Sequence, residues 1–597
     1  MERFLPLIVI VLAGILLASD LNRGWVPHDE GALGQAAERV LAGQVPHRDF
    51  DDIYTGALAY LHAASFYVGP RASTTLRIPV FLFALLWVAA LYAIARRFVP
   101  AAGAALVAIT ALVWSVPNYP ASVPSWFNLF FATFGTLALL RGLETRQRHW
   151  MVLAGLAGGI SFLFKLSGIF YLLGGGIALI ATSFRRPPDG TAETTATRSG
   201  AVLISVILGL VVILLGVPIA RAGFSEVVRF LLPLGLLIGA LIWREWSYGG
   251  MSASARGRAL FETLGPFVLG ALLPVVLYVV FLLLTSALPQ TVQGVLVKPF
   301  RRMDSAMMHP PPPPVLLFTI LFGLLLLKRG GGRGATVLAI FAAAVLGGVV
   351  YVGYNPGFYA IGVLTAWGLP LLAAVGAAWL VKSSGPAGAT PTTDAAFAVT
   401  AVACATLLIE FPFAAPIYLL YTIPLAMLAL AAVVGSAGRT AVSIQWVAAG
   451  FLLVFGLFRV IPGSVESFGS RFIPTDETVR LNLARGGLHV RAADASRYEA
   501  LVGHVQGLAN GRVLWAGPDA PEVYFLSGIP NLTRTLFDFL DEAQVPVIER
   551  VRAVGATLVV LNLKPDFSGP PDEATVAALR ADFPNVTEFP GFLVLWR

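Results

Sequence analysis

A single cysteine, Cys404, stands in an apolar run of this chain. An internal disulfide and a multi-thiolate metal site are therefore excluded. Charge is scarce as well. Only 12% of the 597 residues are Asp, Glu, Lys or Arg, against about 25% in a soluble globular chain. No Gly-rich phosphate loop is present in a usable context, since Arg485-Gly486-Gly487 lacks the strand, turn and helix that such a loop needs. No internal repeat is evident. What cationic excess there is, a net charge of +8, gathers in short loops between apolar runs. That pattern argues for membrane topology rather than for nucleic acid.

Apolar sequence is abundant, at 57% of residues with a mean hydropathy of +0.79. Roughly 20 apolar residues suffice to cross a bilayer, and such runs recur from residue 5 to residue 462. The expected spans are 5–19, 78–95, 102–116, 126–141, 150–164, 167–183, 201–220, 227–243, 264–286, 315–327, 335–353, 359–381, 395–411, 416–435 and 442–461. The fold class is thus a polytopic α-helical membrane protein of about 13–15 spans. The segment 150–183 carries Lys165 at its middle, as two short spans meeting near a surface or as one broken helix. The first span reads as uncleaved, because Ala18-Ser19-Asp20 is a poor cleavage site.

Orientation follows from the cations. Arg96-Arg97, Arg141 through Arg148, Arg185-Arg186, Arg244 through Arg258, Lys328 through Arg333, Lys382 and Arg439 all fall on one side of this layout. That side is expected to be cytoplasmic. The first loop (20–77), the loop at 287–314 and everything after 462 then lie outside. Within the first loop, 31–41 has helical periodicity, and 54–68 is a second apolar helix expected to lie along the outer interface. Residues 463–597 change character: short apolar strands at 512–516, 556–562 and 591–596 alternate with helical stretches at 495–508, 537–554 and 573–582. Such alternation indicates a small extracytoplasmic α/β domain after a transmembrane domain at 1–462.

The residues that carry chemistry cluster at the outer mouth. His28-Asp29-Glu30 follows the first span directly. A carboxylate can take the proton of an attacking hydroxyl, and adjacent carboxylates raise one another's pKa. They are also oxygen ligands for a divalent cation, although no ligand spacing here is diagnostic of a metal. The plainer alternative is a pair of loop carboxylates that keep the span from sliding inward. Pro46-His47-Arg48-Asp49-Phe50-Asp51-Asp52 forms a second polar group, suited to acceptor hydroxyls or simply to solvation. Lys298, Arg301 and Arg302 break the charge rule by lying outside, and Arg clusters bind phosphate through paired hydrogen bonds. His309 and the stiff run Pro310 to Pro314 follow them. Lys165 either reaches the outer interface or adds one more cation near a lipid phosphate. Glu410 and Arg459, near span ends, are weaker candidates.

With these residues in place the chain resembles the GT-C glycosyltransferases, which include the dolichyl-phosphate-mannose protein mannosyltransferases and the bacterial aminoarabinose and lipopolysaccharide-core sugar transferases. The likeness is nearest to the lipopolysaccharide-core group. It rests on His28-Asp29-Glu30-Gly31, on Pro46 to Asp51, on Tyr54-Thr55-Gly56 and on the Lys-containing turn Phe162 to Gly168. In the terminal domain, Pro521 to Gly528 and Thr533-Arg534-Thr535 are similar to segments of bacterial members.

The resemblance implies an inverting transfer from a polyprenyl-phosphate monosaccharide to an acceptor on the outer face of the cytoplasmic (inner) membrane. It makes Asp29 the expected base with Glu30 supporting it. The expected substrate contacts are His28, His47, Arg48, Asp49, Asp51, Tyr54 and Lys165; Lys298, Arg301 and Arg302 are expected on the donor phosphate from their charge and side alone. No cofactor is fixed by it, and a divalent cation on the carboxylates stays open. The acceptor (glycan, lipid or protein) is left open. Two other readings compete: a transporter or flippase for a lipid-linked sugar, and a polymerase or ligase of surface polysaccharide that uses a pyrophosphate-linked oligosaccharide.

Overall fold

The computed structural model describes residues 2–184, 198–301, 307–310, 356–384, 390–436, 453, 478–536, 538 and 545–597. The expected spans 315–327, 335–353 and 442–461, the side chains of Arg301 and Arg302, and Arg459 lie outside the described residues. The chain is a multi-pass membrane protein. Among the described residues ten helices are long and apolar enough to cross a bilayer. Several of them carry leucine, isoleucine and valine on exposed faces, as in α1 (Leu5–Asp20), where Leu7, Val11 and Ile15 are exposed. Such faces suit lipid rather than water.

Two helices of the first loop lie beside the spans. α2 (Pro27–Leu41) starts with proline at its first position, and the Glu30 carboxylate reaches back to accept from the Val26 N–H at 3.1 Å. That reach satisfies one of the otherwise unpaired donors of a first helical turn. α3 (Ala57–Val68) has only 12 residues. At 1.5 Å per residue it is too short to cross unaided. Gly56 ahead of it has φ +105°, and a side chain there would press on the Tyr278 hydroxyl at 2.6 Å.

The bundle continues through α4 (Ser73–Ala95), α5 (Ala101–Val113) and α6 (Pro124–Thr145). α7 (Arg148–Phe164) and α8 (Ile169–Thr182) are separate helices broken at Lys165, whose backbone is extended. They fold back on one another, because Tyr171 donates to the Ala154 carbonyl at 3.2 Å and Leu172 lies over Gly158. Of the two readings for 150–183, the pair of short antiparallel helices is the one observed.

α9 (Ser199–Ala222), α10 (Phe224–Tyr248) and α11 (Ala253–Leu284) follow. Arg244 through Arg258, read as a loop, is instead helix on both sides of a short link. Arg256 is buried against Glu245 at 2.6 Å and against the Ile180 and Ser183 carbonyls that end α8. Helical carbonyl ends attract cations, so these charges extend the helices where hydropathy alone stops them. α12 (Pro356–Ser383), α13 (Pro391–Thr406) and α14 (Pro416–Ser436) complete the described bundle. Inside it Arg229 holds Glu410 through a paired ion contact at 2.7 Å. Glu410 is therefore a structural partner.

The terminal domain has a hairpin of β1 (Thr478–Arg480) and β2 (His489–Arg491), and a four-stranded sheet. The sheet comprises β3 (Leu514–Gly517), β4 (Leu558–Asn562), β5 (Asn585–Phe589) and β6 (Phe592–Trp596) in the order β3-β4-β6-β5. β3 and β4 are parallel, and the other neighbours are antiparallel. Helices α15 (Ala492–Leu508), α16 (Pro521–Ser527), α17 (Val547–Ala553) and α18 (Glu573–Asp582) flank it. The sequence gives no sign of β5, because Asn585-Val586-Thr587-Glu588-Phe589 is half polar and lies at the sheet edge. The expected helix at 537–554 is helical only from Val547, past Pro546, within the described residues.

This domain clasps the first loop. A Cβ on Gly31 would sit 2.3 Å from the Glu522 backbone nitrogen, and one on Gly34 would sit 2.5 Å from the Phe525 ring. Arg485 pairs with Glu38 at 2.5 Å, and Arg534 donates to the His47 and Arg48 carbonyls. The first loop and the terminal domain are thus on the same side of the bundle.

Candidate active site

Arg77, near the start of α4, organises the mouth. Its guanidinium is buried and bonds both Glu30 oxygens, at 2.7 and 3.0 Å. It also donates to the Arg23 and Gly24 carbonyls at 2.7 and 2.6 Å. The end of α1, the linker and the first turn of α2 are tied together by this one side chain. Glu30 is itself fully buried. It faces Arg77 and the Val26 N–H, so its place is beneath the site, and the neighbouring carboxylates do not form a proton-sharing pair facing a substrate.

Asp29, held by that turn, points the other way. Its Oδ2 accepts a short hydrogen bond from the Tyr119 hydroxyl, and its Oδ1 lies 3.5 Å from His28 Nε2. Tyr119 sits just past α5, and its carbonyl accepts from Trp126 at 3.1 Å. Burial, and then the Asp29 charge, hold the Tyr119 phenol well above its ordinary pKa, so it stays a donor to the carboxylate. Lys165 comes in from the α7–α8 break. Its ammonium donates to Ser125 at 2.9 Å and lies 4.9 Å from the Tyr418 ring centroid and 6.0 Å from that of Tyr54. Tyr54 in turn feels the Asp29 charge most after its own burial. Tyr421 stands against Trp126 and Tyr418. The Asp29 carboxylate and the Lys165 ammonium thus share one tyrosine-lined group, to which five separate parts of the chain contribute.

The other expected site residues divide. His28 belongs to this group, with its Nδ1 3.5 Å from Asp566 of the terminal domain. Burial pulls its pKa down, but the Asp566 contact and the charges of Asp29, Asp566 and Glu522 outweigh this and raise it. His47 does not reach Asp29. It is buried, adopts φ +66° and bonds the Tyr54 carbonyl at 2.9 Å, and burial lowers its pKa. Arg48 and Asp49 pair with one another at 2.7 Å, while Arg48 also caps the Thr285 carbonyl and Asp49 accepts from the Val45 N–H. Asp51 faces Arg534 at 3.4 Å and Lys298 at 3.8 Å. These side chains lock the 46–54 segment to α11 and to the terminal domain, and only Tyr54 carries it into the site. Lys298 is engaged by Asp51, away from Lys165. His309 pairs with Glu226.

Tyr119, Ser125, Tyr418 and Tyr421 escape the sequence reading because phenols and hydroxyls between apolar spans read as an interfacial belt. Arg77 leaves a signal: a lone arginine at the start of an apolar span needs a buried partner. Among the described residues no group of three or more His, Cys, Asp or Glu is placed to hold a metal ion.

Residues 57–214 match the family described as dolichyl-phosphate-mannose-protein mannosyltransferase. The matched segment contains Tyr119, Ser125 and Lys165 and begins after Asp29. No curated protein matches the chain. Among solved structures, ArnT from Cupriavidus metallidurans bound to undecaprenyl phosphate is 14% identical, covers 99% of this chain and 97% of its own, and has a TM-score of 0.35. The oligosaccharyltransferase of Archaeoglobus fulgidus in its apo form is 12% identical over 94% of this chain and 70% of its own, with a TM-score of 0.38. The same enzyme with an inhibitory peptide and dolichol-phosphate gives 12%, the same coverage and 0.37. The chain is a multi-pass membrane protein that over residues 57–214 is similar to the family described as dolichyl-phosphate-mannose-protein mannosyltransferase.

Proposed function

We propose that the protein transfers a monosaccharide from a polyprenyl-phosphate donor to an acceptor hydroxyl, with inversion, at the membrane face covered by the first loop and the terminal domain. The positive-inside pattern supports assigning that face to the outside of the cytoplasmic membrane. The observation that carries the reading is the convergence of Asp29 and Lys165 on one tyrosine-lined group. Asp29 Oδ2 is held by Tyr119, which leaves Oδ1 to take the acceptor proton. The acceptor oxygen then bonds to the anomeric carbon as the bond to the lipid phosphate breaks. The departing phosphate carries the growing negative charge, and Lys165 offsets it in a site shielded from bulk water. A polyprenyl chain stays in the bilayer while its sugar sits at this interface. The family named for dolichyl-phosphate-mannose supports a donor of that chemistry. Lys298 and Asp51 form a contact at the edge of the loop and are proposed to steady it rather than to hold the donor.

The test supplies radiolabelled polyprenyl-phosphate monosaccharides, one at a time, to the purified protein in liposomes and follows loss of sugar from the lipid. Consumption of at least one monophosphate donor is expected. Consumption of pyrophosphate-linked oligosaccharides alone would contradict the reading and favour a polymerase or ligase.

A further inference from the structure

Beside the Asp29 site lies a cavity of about 310 Å³, between the first turn of α2 and the terminal domain. Pockets of that size take small ligands. Trp25, His28, Arg491, Glu522, Lys564 and Asp566 are among the residues that line it. Glu522 is the informative one. It is 3% exposed, its Oε1 accepts from the Tyr498 hydroxyl at 3.0 Å, and its Oε2 has no hydrogen-bond partner. A buried polar atom without a partner is costly and rare, and here it belongs to a residue of a cavity wall.

We propose, on the basis of the transfer reaction assigned above, that this cavity seats a sugar ring of the acceptor, so that the acceptor is a glycan. The wall explains the choice. One part is aromatic: Trp25 stands edge-on to Tyr498 at 4.7 Å, and Tyr498 to Phe592 at 5.9 Å. Arg497 lies over the Tyr498 and Phe592 rings. The remainder interleaves carboxylates with cations. A lipid tail would leave Glu522 and the rim charges unpaired. An isolated phosphate would face Glu522 and Asp566, and a simple cation would face Arg491 and Lys564. A sugar offers an apolar face to Trp25, the partly exposed ring of the three, and, on neighbouring carbons, hydroxyls that both donate and accept.

Burial pushes the Glu522 carboxyl up to about 7, and in its ionised form it accepts a charge-assisted hydrogen bond from a sugar hydroxyl. His28 joins the cavity to the reaction centre, with Nδ1 toward Asp566 and Nε2 toward Asp29, each at 3.5 Å. A ring seated here directs its next hydroxyl past His28 to the proposed base.

The experiment measures saturation-transfer NMR on the full chain in nanodiscs prepared without sugar detergents. The probes are short oligosaccharides of glucose, mannose, galactose and arabinose, with inorganic phosphate and a neutral peptide alongside. At least one oligosaccharide is expected to bind wild type and Asp29→Asn alike, and to weaken about tenfold or more in Glu522→Gln, as loss of one charge-assisted hydrogen bond implies. Asp566→Asn, at an exposed rim position, is expected to weaken it too and covers a folding failure of the first variant. Binding of none of the oligosaccharides, indifference to both substitutions, or binding of phosphate or peptide alone would overturn the proposal. These outcomes are independent of donor consumption, so failure here leaves the transfer reading standing, and failure of the transfer reading leaves oligosaccharide binding measurable.

Discussion

At the scale of single residues, one side chain fixes the site and another serves it. Arg77 supplies hydrogen bonds to Glu30 and to backbone carbonyls before α2. Removing one member of a buried ion pair strands the other charge, at about 3–5 kcal/mol. Arg77→Met is therefore expected to lower the melting temperature sharply in detergent, and an unchanged melting temperature would remove Arg77 as the anchor. Lys165 is proposed to offset the leaving phosphate, so Lys165→Ala is expected to leave folding intact while donor kcat/KM falls about ten- to a hundredfold. That is the effect of losing one hydrogen bond to a charged phosphate, about 1.5–3 kcal/mol. Lys165→Arg should recover part of it, and equal activity in all three proteins would contradict a phosphate contact. The place of Asp29 and Lys165 at one end of the spans was legible in the sequence, because charges beside apolar spans stand out. Their partners were not: a tyrosine at 119 or 421 looks the same whether it anchors an interface or lines a site. The role of Glu30 was also hidden, since two adjacent carboxylates on a helix turn point in different directions and only the partner, Arg77, tells which is structural.

At the scale of elements, the hydropathy runs located α1, α4 to α10 and α12 to α14 to within several residues, because lipid imposes one solvent on every outward face. α11 is the exception. Its first turns carry Arg256 and Arg258 and so failed the apolar test, yet it begins at Ala253. Arg256 is buried among carbonyls and Glu245, a contact between distant helices that no local pattern encodes. α7 packs on α11 through small residues. A Cβ on Gly155 would lie 1.8 Å from the Phe267 carbonyl oxygen, and one on Gly159 would lie 2.2 Å from that of Ala271. Small residues four apart let membrane helices approach closely. Because the obstruction is backbone, Gly155→Ala must separate the helices and is expected to cost at least the ~1–3 kcal/mol typical of overpacking. Thermal unfolding in nanodiscs reads this out, with Gly176→Ala, where the added carbon meets nothing within 4 Å, as the neutral comparison. Equal stability of the two variants would refute the close packing. Displacement of α7 would also move Lys165 at its end, so donor activity should fall with stability.

At the scale of the whole molecule, the terminal domain is docked on the first loop through groups that titrate near neutrality. Glu522 has its carboxyl pushed up to about 7 by burial, against ~4.3 for a free glutamate. A raised folded value means that its contribution to stability is present below ~4.3 and is lost as pH rises through about 7. His28 is also raised. Its contribution is present below ~6.5 and is lost as pH rises through the higher folded value. Asp566, lowered by its hydrogen bond to His28, acts in the opposite sense, but only below ~4. The melting temperature of the docked domain is therefore expected to fall from pH 5 to pH 8, and Glu522→Gln should flatten that slope. A rise over the same range would contradict the docking described here. That the domain is α/β was readable from alternating strands and helices. Its seat on α2 was not, because Gly31 and Gly34 are ordinary letters in a helix until Glu522 and Phe525 close on them.

The central claim is that Asp29 takes the acceptor proton. The direct measurement is single-turnover transfer by wild type and Asp29→Asn in liposomes, with the consumed radiolabelled donor and with donor binding measured in parallel. Asp29→Asn is expected to bind the donor as wild type does and to transfer at least about a thousandfold more slowly, in line with loss of a general base and its positioning. Wild-type turnover by Asp29→Asn would contradict it and return the role of base to another group.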